Sequence, residues 1–151
     1  IFGGKKTSKK TKSKMPTEKS GDLVFNEREG VFYKKFTDVP FTGEVTGQLQ
    51  GKLKNGKKEG PWVYYHKNGK LFSKGTYKDG MNEGPWVSYW GNGQLLSKGT
   101  YKNGKREGPW VSVNYKGQLE GKGTYKNGMK NGHWLSDTEE SGMYRNGKLV
   151  K

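Results

Sequence analysis

Cysteine is absent from the 151 residues, and histidine occurs only as His66 and His133. The first absence excludes a disulfide framework and a thiolate metal site, and leaves the compartment open, since cytosolic and envelope proteins can both do without cysteine. The second leaves no nucleophile and base pair with an orienting acid. Apolar residues are scarce as well, at 28% of the chain against roughly 45–50% in ordinary globular proteins. A two-layer core cannot be filled from that supply. No apolar run approaches the ~18 residues of a membrane-crossing helix.

Glycine and aromatic residues are plentiful, at 25 residues and 13%. That pairing suits a thin sheet whose strands alternate glycine with rings, and it contradicts disorder. The formal charge is +15, of which residues 1 to 21 carry +6 from seven lysines and one glutamate. That charge is compatible with an anionic partner, whether nucleic acid, membrane surface, acidic polysaccharide or acidic protein, and charge alone does not choose among them. Lysine also keeps an open sheet soluble and blunts its edges. The chain starts at Ile1, from which we expect a processed product, with the cell envelope or the exterior favoured over the cytoplasm.

Landmarks recur at a fixed interval of 24 residues, in Gly60, Gly84, Gly108 and Gly132 and in Trp62, Trp86, Trp110 and Trp134. Such a period marks a stacked array whose units bury their apolar faces only against neighbours. Inside each unit, Asn-Gly or Asp-Gly pairs (Asn55-Gly56, Asn68-Gly69, Asp79-Gly80, Asn92-Gly93, Asn103-Gly104, Asn127-Gly128, with Lys116-Gly117 in register) fall alternately 13 and 11 residues apart. These residues adopt the positive φ of a type I′ hairpin turn at low cost. The fold expected is therefore all-β, an elongated, twisted antiparallel meander with two strands per repeat and β caps at both ends.

With two-residue turns, Trp62 lies opposite Gly75, Trp86 opposite Gly99 and Trp110 opposite Gly123, each ring shielding its cross-strand glycine. Leu71, Leu95, Leu119, Tyr77, Tyr101 and Tyr125 share that face. The other face carries Val63, Tyr65, Val87, Tyr89, Val111 and Val113 with Lys74, Lys98, Lys122 and Thr76, Thr100, Thr124, and is wetter. Pro61, Pro85 and Pro109 are placed at strand starts, where a missing N–H breaks no ladder bond.

Four segments follow: a basic flexible tail at 1–21, an atypical β cap at 22–53, regular repeats at 54–132 and a shortened terminal unit at 133–151. In the cap, Val31, Phe32, Tyr33, Phe36, Val39, Phe41 and Val45 supply the apolar positions. In the last unit His133 replaces the proline, and the next turn, Asn146-Gly147, comes after 19 residues, with Asp137 to Glu140 in the shortened connection.

The consensus read from Gly60 to Leu71 and from Gly75 to Gly80 resembles MORN-type repeats, specifically a bacterial variant found in proteins classed as toxin–antitoxin system antitoxins. Phe32 to Val45, with Pro40-Phe41-Thr42-Gly43, is similar to the start of that family's proteins. The resemblance runs from about Val31 to Lys151. It implies inhibition by binding a toxin or, for MORN repeats at large, scaffolding, dimerisation and membrane attachment.

Neither catalytic nor cofactor-binding nor metal residues are expected. Glu59, Glu83 and Glu107 recur with the period but precede Gly-Pro beside Lys57, Lys58, Lys105 and Arg106, so they read as parts of the repeat, and the glycines belong to hairpins, not a phosphate loop. The expected function is a non-catalytic scaffold binding another protein or itself, with no small-molecule substrate; the alternative is an anionic-polymer or membrane-headgroup binder. Candidate contacts are Ile1, Phe2, Lys9, Lys10, Lys12, Lys74, Lys98, Lys122, Tyr65 and Tyr89, while Trp62, Trp86, Trp110, Trp134, Gly75, Gly99 and Gly123 are read as architecture.

Overall fold

The structure, a computed structural model, describes residues 15–151. It is built from hairpins in chain order: β1 (Thr17–Lys19), β2 (Leu23–Asn26), β3 (Val31–Lys34), β4 (Gly43–Thr46), β5 (Leu49–Lys54), β6 (Lys57–Tyr65), β7 (Leu71–Lys78), β8 (Met81–Tyr89), β9 (Leu95–Lys102), β10 (Lys105–Val113), β11 (Leu119–Lys126), β12 (Met129–Leu135), β13 (Gly142–Arg145) and β14 (Lys148–Val150). Strands β4 to β14 follow one another through a single 12-stranded sheet, β1 adds to its N-terminal edge, and β2 and β3 form a separate hairpin. The only helical segment among the described residues is the 3-10 turn Ser20–Asp22.

The expected registers are present: Trp62 pairs with Gly75, Trp86 with Gly99 and Trp110 with Gly123. The rings, however, lie the other way. A Cβ built on Gly99 would meet the Trp110 ring at 2.1 Å, one on Gly75 would meet Trp86 at 2.3 Å, and one on Gly51 would meet Trp62 at 2.3 Å. Each tryptophan thus covers the glycine of the strand before it. The cause is a bulge: Thr76 pairs with Glu83 and Gly75 with Trp86, so Gly84 and Pro85 have no partner on β7. The bulge leaves the Thr76 carbonyl for the Trp86 indole, whose Nε1–H donates to it at 3.3 Å, and Trp110 donates likewise to Thr100 at 3.0 Å.

This also corrects the placement of the prolines. Pro61, Pro85 and Pro109 are fifth in strands β6, β8 and β10. Proline is tolerated there because the bulge has already interrupted the ladder on that side.

Two kinds of turn alternate instead of one. Asn103 at φ 50° and Gly104 at φ 80° form the type I′ turn between β9 and β10. At Asn68-Gly69 only the glycine is at positive φ. The loop there is closed by His66 N–H on the Lys70 carbonyl and Gly69 N–H on the His66 carbonyl, with Asn68 Oδ1 accepting from Lys70 N–H. The asparagine side chain replaces the second strained backbone position. A register shift between Tyr64 and Tyr65 absorbs the extra residue.

The stretch read as a flexible tail contains β1, which pairs in parallel with β4, Thr17 opposite Glu44 and Lys19 opposite Thr46. An open sheet edge satisfies its backbone by taking a strand, whatever that strand's composition. At this end Val45, Leu53 and Trp62 are buried together, with Leu23, Phe32, Phe41 and Leu49 packed around them. Phe36 and Val39, counted with the cap's apolar residues, are exposed.

Candidate functional site

The valine-bearing face carries two shallow grooves, one for each step between units. The first, about 510 Å³, runs over Pro61, Val63, Lys74, Thr76, Pro85, Val87, Tyr89 and Lys98, with Trp62, Gly75 and Trp86 also bordering it. The second, about 630 Å³, repeats it one unit later over Pro85, Lys98, Thr100, Pro109, Val111, Lys122 and Thr124, with Gly99, Trp110 and Gly123 also bordering it. Proline and valine make an apolar floor; Lys74, Lys98 and Lys122 are exposed along it. No ion pair engages these lysines among the described residues, where Lys34 with Glu18 is the pair that forms. The structure therefore brings Lys74, Lys98, Lys122 and Tyr89 together on one strip. Tyr65 lies on the same face beyond the groove lining, and Ile1, Phe2, Lys9, Lys10 and Lys12 lie outside the described residues.

The tryptophan face is organised differently. Rings stack edge-to-face along it, Tyr77 to Trp86 at 5.1 Å and Tyr101 to Trp110 at 5.1 Å between centroids. Cations cover the indoles: the Arg106 guanidinium lies 4.8 Å from the Trp110 centroid and 5.3 Å from Tyr125, and Lys130 Nζ lies 4.7 Å from Trp134 and 5.0 Å from Tyr144. Lys58 is caged more completely, its Nζ within 5.4 Å of Phe32, 5.3 Å of Trp62, 4.9 Å of Tyr64 and 4.8 Å of Tyr77. It donates to Tyr64 Oη, which shares a 2.9 Å hydrogen bond with Tyr77 Oη. Burial pushes the Lys58 ammonium down to about 8, while the ring faces act against that by favouring the cation. Burial raises the Tyr64 phenol, and also that of Tyr77.

These cations were not singled out from the sequence. Their position recurs at the 24-residue interval as Lys58, Arg106 and Lys130, with Asn82 in the second unit, but Lys74, Lys98 and Lys122 recur in the same way, so recurrence does not set it apart. Lys and Arg are common throughout the chain, 29 in all.

The recurrent glutamates are parts of the repeat. Glu59, Glu83 and Glu107 each accept the turn N–H of the following hairpin, from Asp79 at 2.9 Å, Asn103 at 2.8 Å and Asn127 at 2.8 Å. His66 Nε2–H donates to the Tyr89 carbonyl at 2.8 Å, and Trp90, 24 residues on, donates to Val113 in the same way. Both side chains tie a loop to the end of the corresponding strand in the next unit, β8 for His66 and β10 for Trp90. His133, exposed on β12, lies opposite Met143.

Period, hairpin pairs and stacked rings together define the unit. Residues 58–79, 82–103 and 106–127 each match the MORN repeat variant. The three MORN-type units span the grooves, the glutamate bonds and most of the cation and ring column. No curated protein matches the chain. MORN repeats generally serve binding or scaffold roles. No helix among the described residues is long and apolar enough to cross a membrane.

Proposed function

We propose that this protein is a non-catalytic scaffold that binds another protein along the grooved face. The observation that carries this reading is the strip itself: two successive grooves with an apolar floor and an unpaired lysine row, repeating with the unit. An apolar floor rewards burial of a partner's side chains, and the lysines select one with acidic groups at matching spacing. Successive lysines stand roughly 9.6 Å apart at two strands per unit. The antitoxin-like resemblance adds a finer form, in which the bound protein is held inactive.

The test is affinity capture from the native source with the wild type and with K74E/K98E/K122E. A protein retained by the first and lost from the second supports the reading, and inhibition of that protein's activity would support its antitoxin form. The same lysine row favours a second reading, attachment to anionic membranes or nucleic acid. Binding of the wild type to anionic vesicles or mixed nucleic acid at physiological ionic strength, with affinity falling steeply as salt rises, would select it.

A further inference from the structure

On the face opposite the grooves, three of the four tryptophans that cover glycines carry a cation of their own, and one does not. Lys58 serves Trp62, Arg106 serves Trp110 and Lys130 serves Trp134. At the matching position before Trp86 stands Asn82, too short to reach across the ring and carrying no charge. The consequence is visible in burial. Trp62 is 1% exposed and Trp110 and Trp134 are each 5% exposed, whereas Trp86 is only partly buried.

The rings around Asn82 are nevertheless arranged as they are where a cation is held. Trp86 and Tyr101 stand 6.1 Å apart at 81°, and Trp110 and Tyr125, which hold Arg106, stand 6.1 Å apart at 84°. The second pair agrees as well: Tyr77 and Trp86 at 5.1 Å and 86°, Tyr101 and Trp110 at 5.1 Å and 86°. The repeat fixes these rings by backbone register, so the slot keeps its shape when its cation is lost.

We infer that the slot formed by Tyr77, Trp86 and Tyr101 beside Asn82 receives an arginine or lysine side chain from a partner protein. A cation over an indole is attracted by the ring quadrupole, and Trp is the best of the aromatic hosts. The Asn82 side chain hydrogen-bonds the Tyr77 phenol, and its amide oxygen is an acceptor to which a guanidinium can donate. Net charge does not forbid the occupant. Arg106 and Lys130 already sit one repeat apart on this face, so a cation between Lys58 and Arg106 meets the same ~9.6 Å spacing, comparable to the screening length of about 8 Å at physiological salt. This inference concerns the ring face and does not rest on the lysine strip; Trp86 also borders the first groove and Trp110 the second, so the Trp110 signal is the control for docking there.

The experiment follows the five indole N–H signals of the folded protein by ¹⁵N-correlated NMR, with a blocked Gly-Arg-Gly peptide, its Gly-Gln-Gly counterpart and phosphatidylcholine vesicles as probes. The arginine peptide is expected to move the Trp86 signal saturably and at least about tenfold more tightly than the glutamine peptide, leaving Trp110 and Trp134 in place. Asn82→Arg is expected to fill the slot from within and abolish the response, and Arg106→Asn to give Trp110 the response Trp86 had. The proposal is overturned if Trp86 does not respond to arginine, responds equally to glutamine, or moves no more than Trp110. A response to the vesicles without one to the arginine peptide overturns it too, because it would assign the slot to a lipid ammonium.

Discussion

At the N-terminal end Val45, Leu53 and Trp62 are buried together beneath Leu23, Phe32, Phe41 and Leu49, whereas beyond Trp86 each unit covers its tryptophan with rings and a cation from the same face of one sheet. The two regions share a template. Subtracting the repeat interval from Tyr77 leads to Leu53, and from Gly75 to Gly51. At Leu53 the column has lost its ring, and Phe32 of the separate hairpin supplies one over Lys58. An interior unit inherits its cover from the unit before it; the first unit has no predecessor and needs an added element. The added element is held by backbone as well, Phe32 N–H on the Gly56 carbonyl at 2.8 Å and Gly56 N–H on Phe41 at 2.7 Å.

Substitutions that damage one region and spare the other sharpen this contrast. The largest effect is expected at the capped end, where Leu53→Ala opens a void beneath a hairpin that contributes few contacts of its own. A loss of about 4 kcal/mol in denaturant unfolding is expected, with the Phe25 and Phe32 signals losing dispersion before those of the array. An equal loss for Leu95→Ala, whose site is only partly buried, would erase the distinction.

Next comes Gly99→Val, which drives a branched side chain into the Trp110 ring at 2.1 Å and should cost about 3 kcal/mol. Fluorescence or NMR should place the disturbance at Trp110. Disturbance at Trp86 alone would show that the rings lean toward the following strand.

Glu83→Ala removes the acceptor of the Asn103 turn N–H; an exposed turn N–H regains water, so a loss of about 1 kcal/mol is expected. Hydrogen exchange at Asn103 should accelerate while exchange at the corresponding Asn127 stays slow. Uniform acceleration would mean the glutamates act through general charge.

The smallest effect is a slope with pH. The Lys58 ammonium is lowered to about 8 in the folded protein against ~10.4 in an unfolded chain. Between those values the unfolded chain binds the extra proton, so stability rises with pH from about 8 to about 10.4. Partial exposure and the ring faces keep the gain below about 1 kcal/mol. Melting temperatures of wild type and Lys58→Met across that range check it: the wild type gains relative to the variant.

Much of the architecture was legible in the residues. The 24-residue period, the alternating turn pairs and the period-2 patterning specified strands, register and faces, because a hairpin's pairing is fixed by its own turn and the side-chain period is 2. Glu59, Glu83 and Glu107 were rightly read as serving the repeat, since any residue generated by repetition recurs with its structural task. Tertiary structure alone decided which glycine each tryptophan covers. Register makes Gly75 and Gly99 equal neighbours of Trp86, and only the Gly84-Pro85 bulge, by freeing the Thr76 carbonyl, turns the indole toward Gly75. It also decided that residues 17–19 pair with β4 instead of trailing free, because an open edge recruits backbone regardless of sequence. The cation and ring column escaped for the same reason: Lys58, Arg106 and Lys130 differ from the other lysines and arginines in nothing but what stands beside them, and adjacency across strands is a property of the folded sheet.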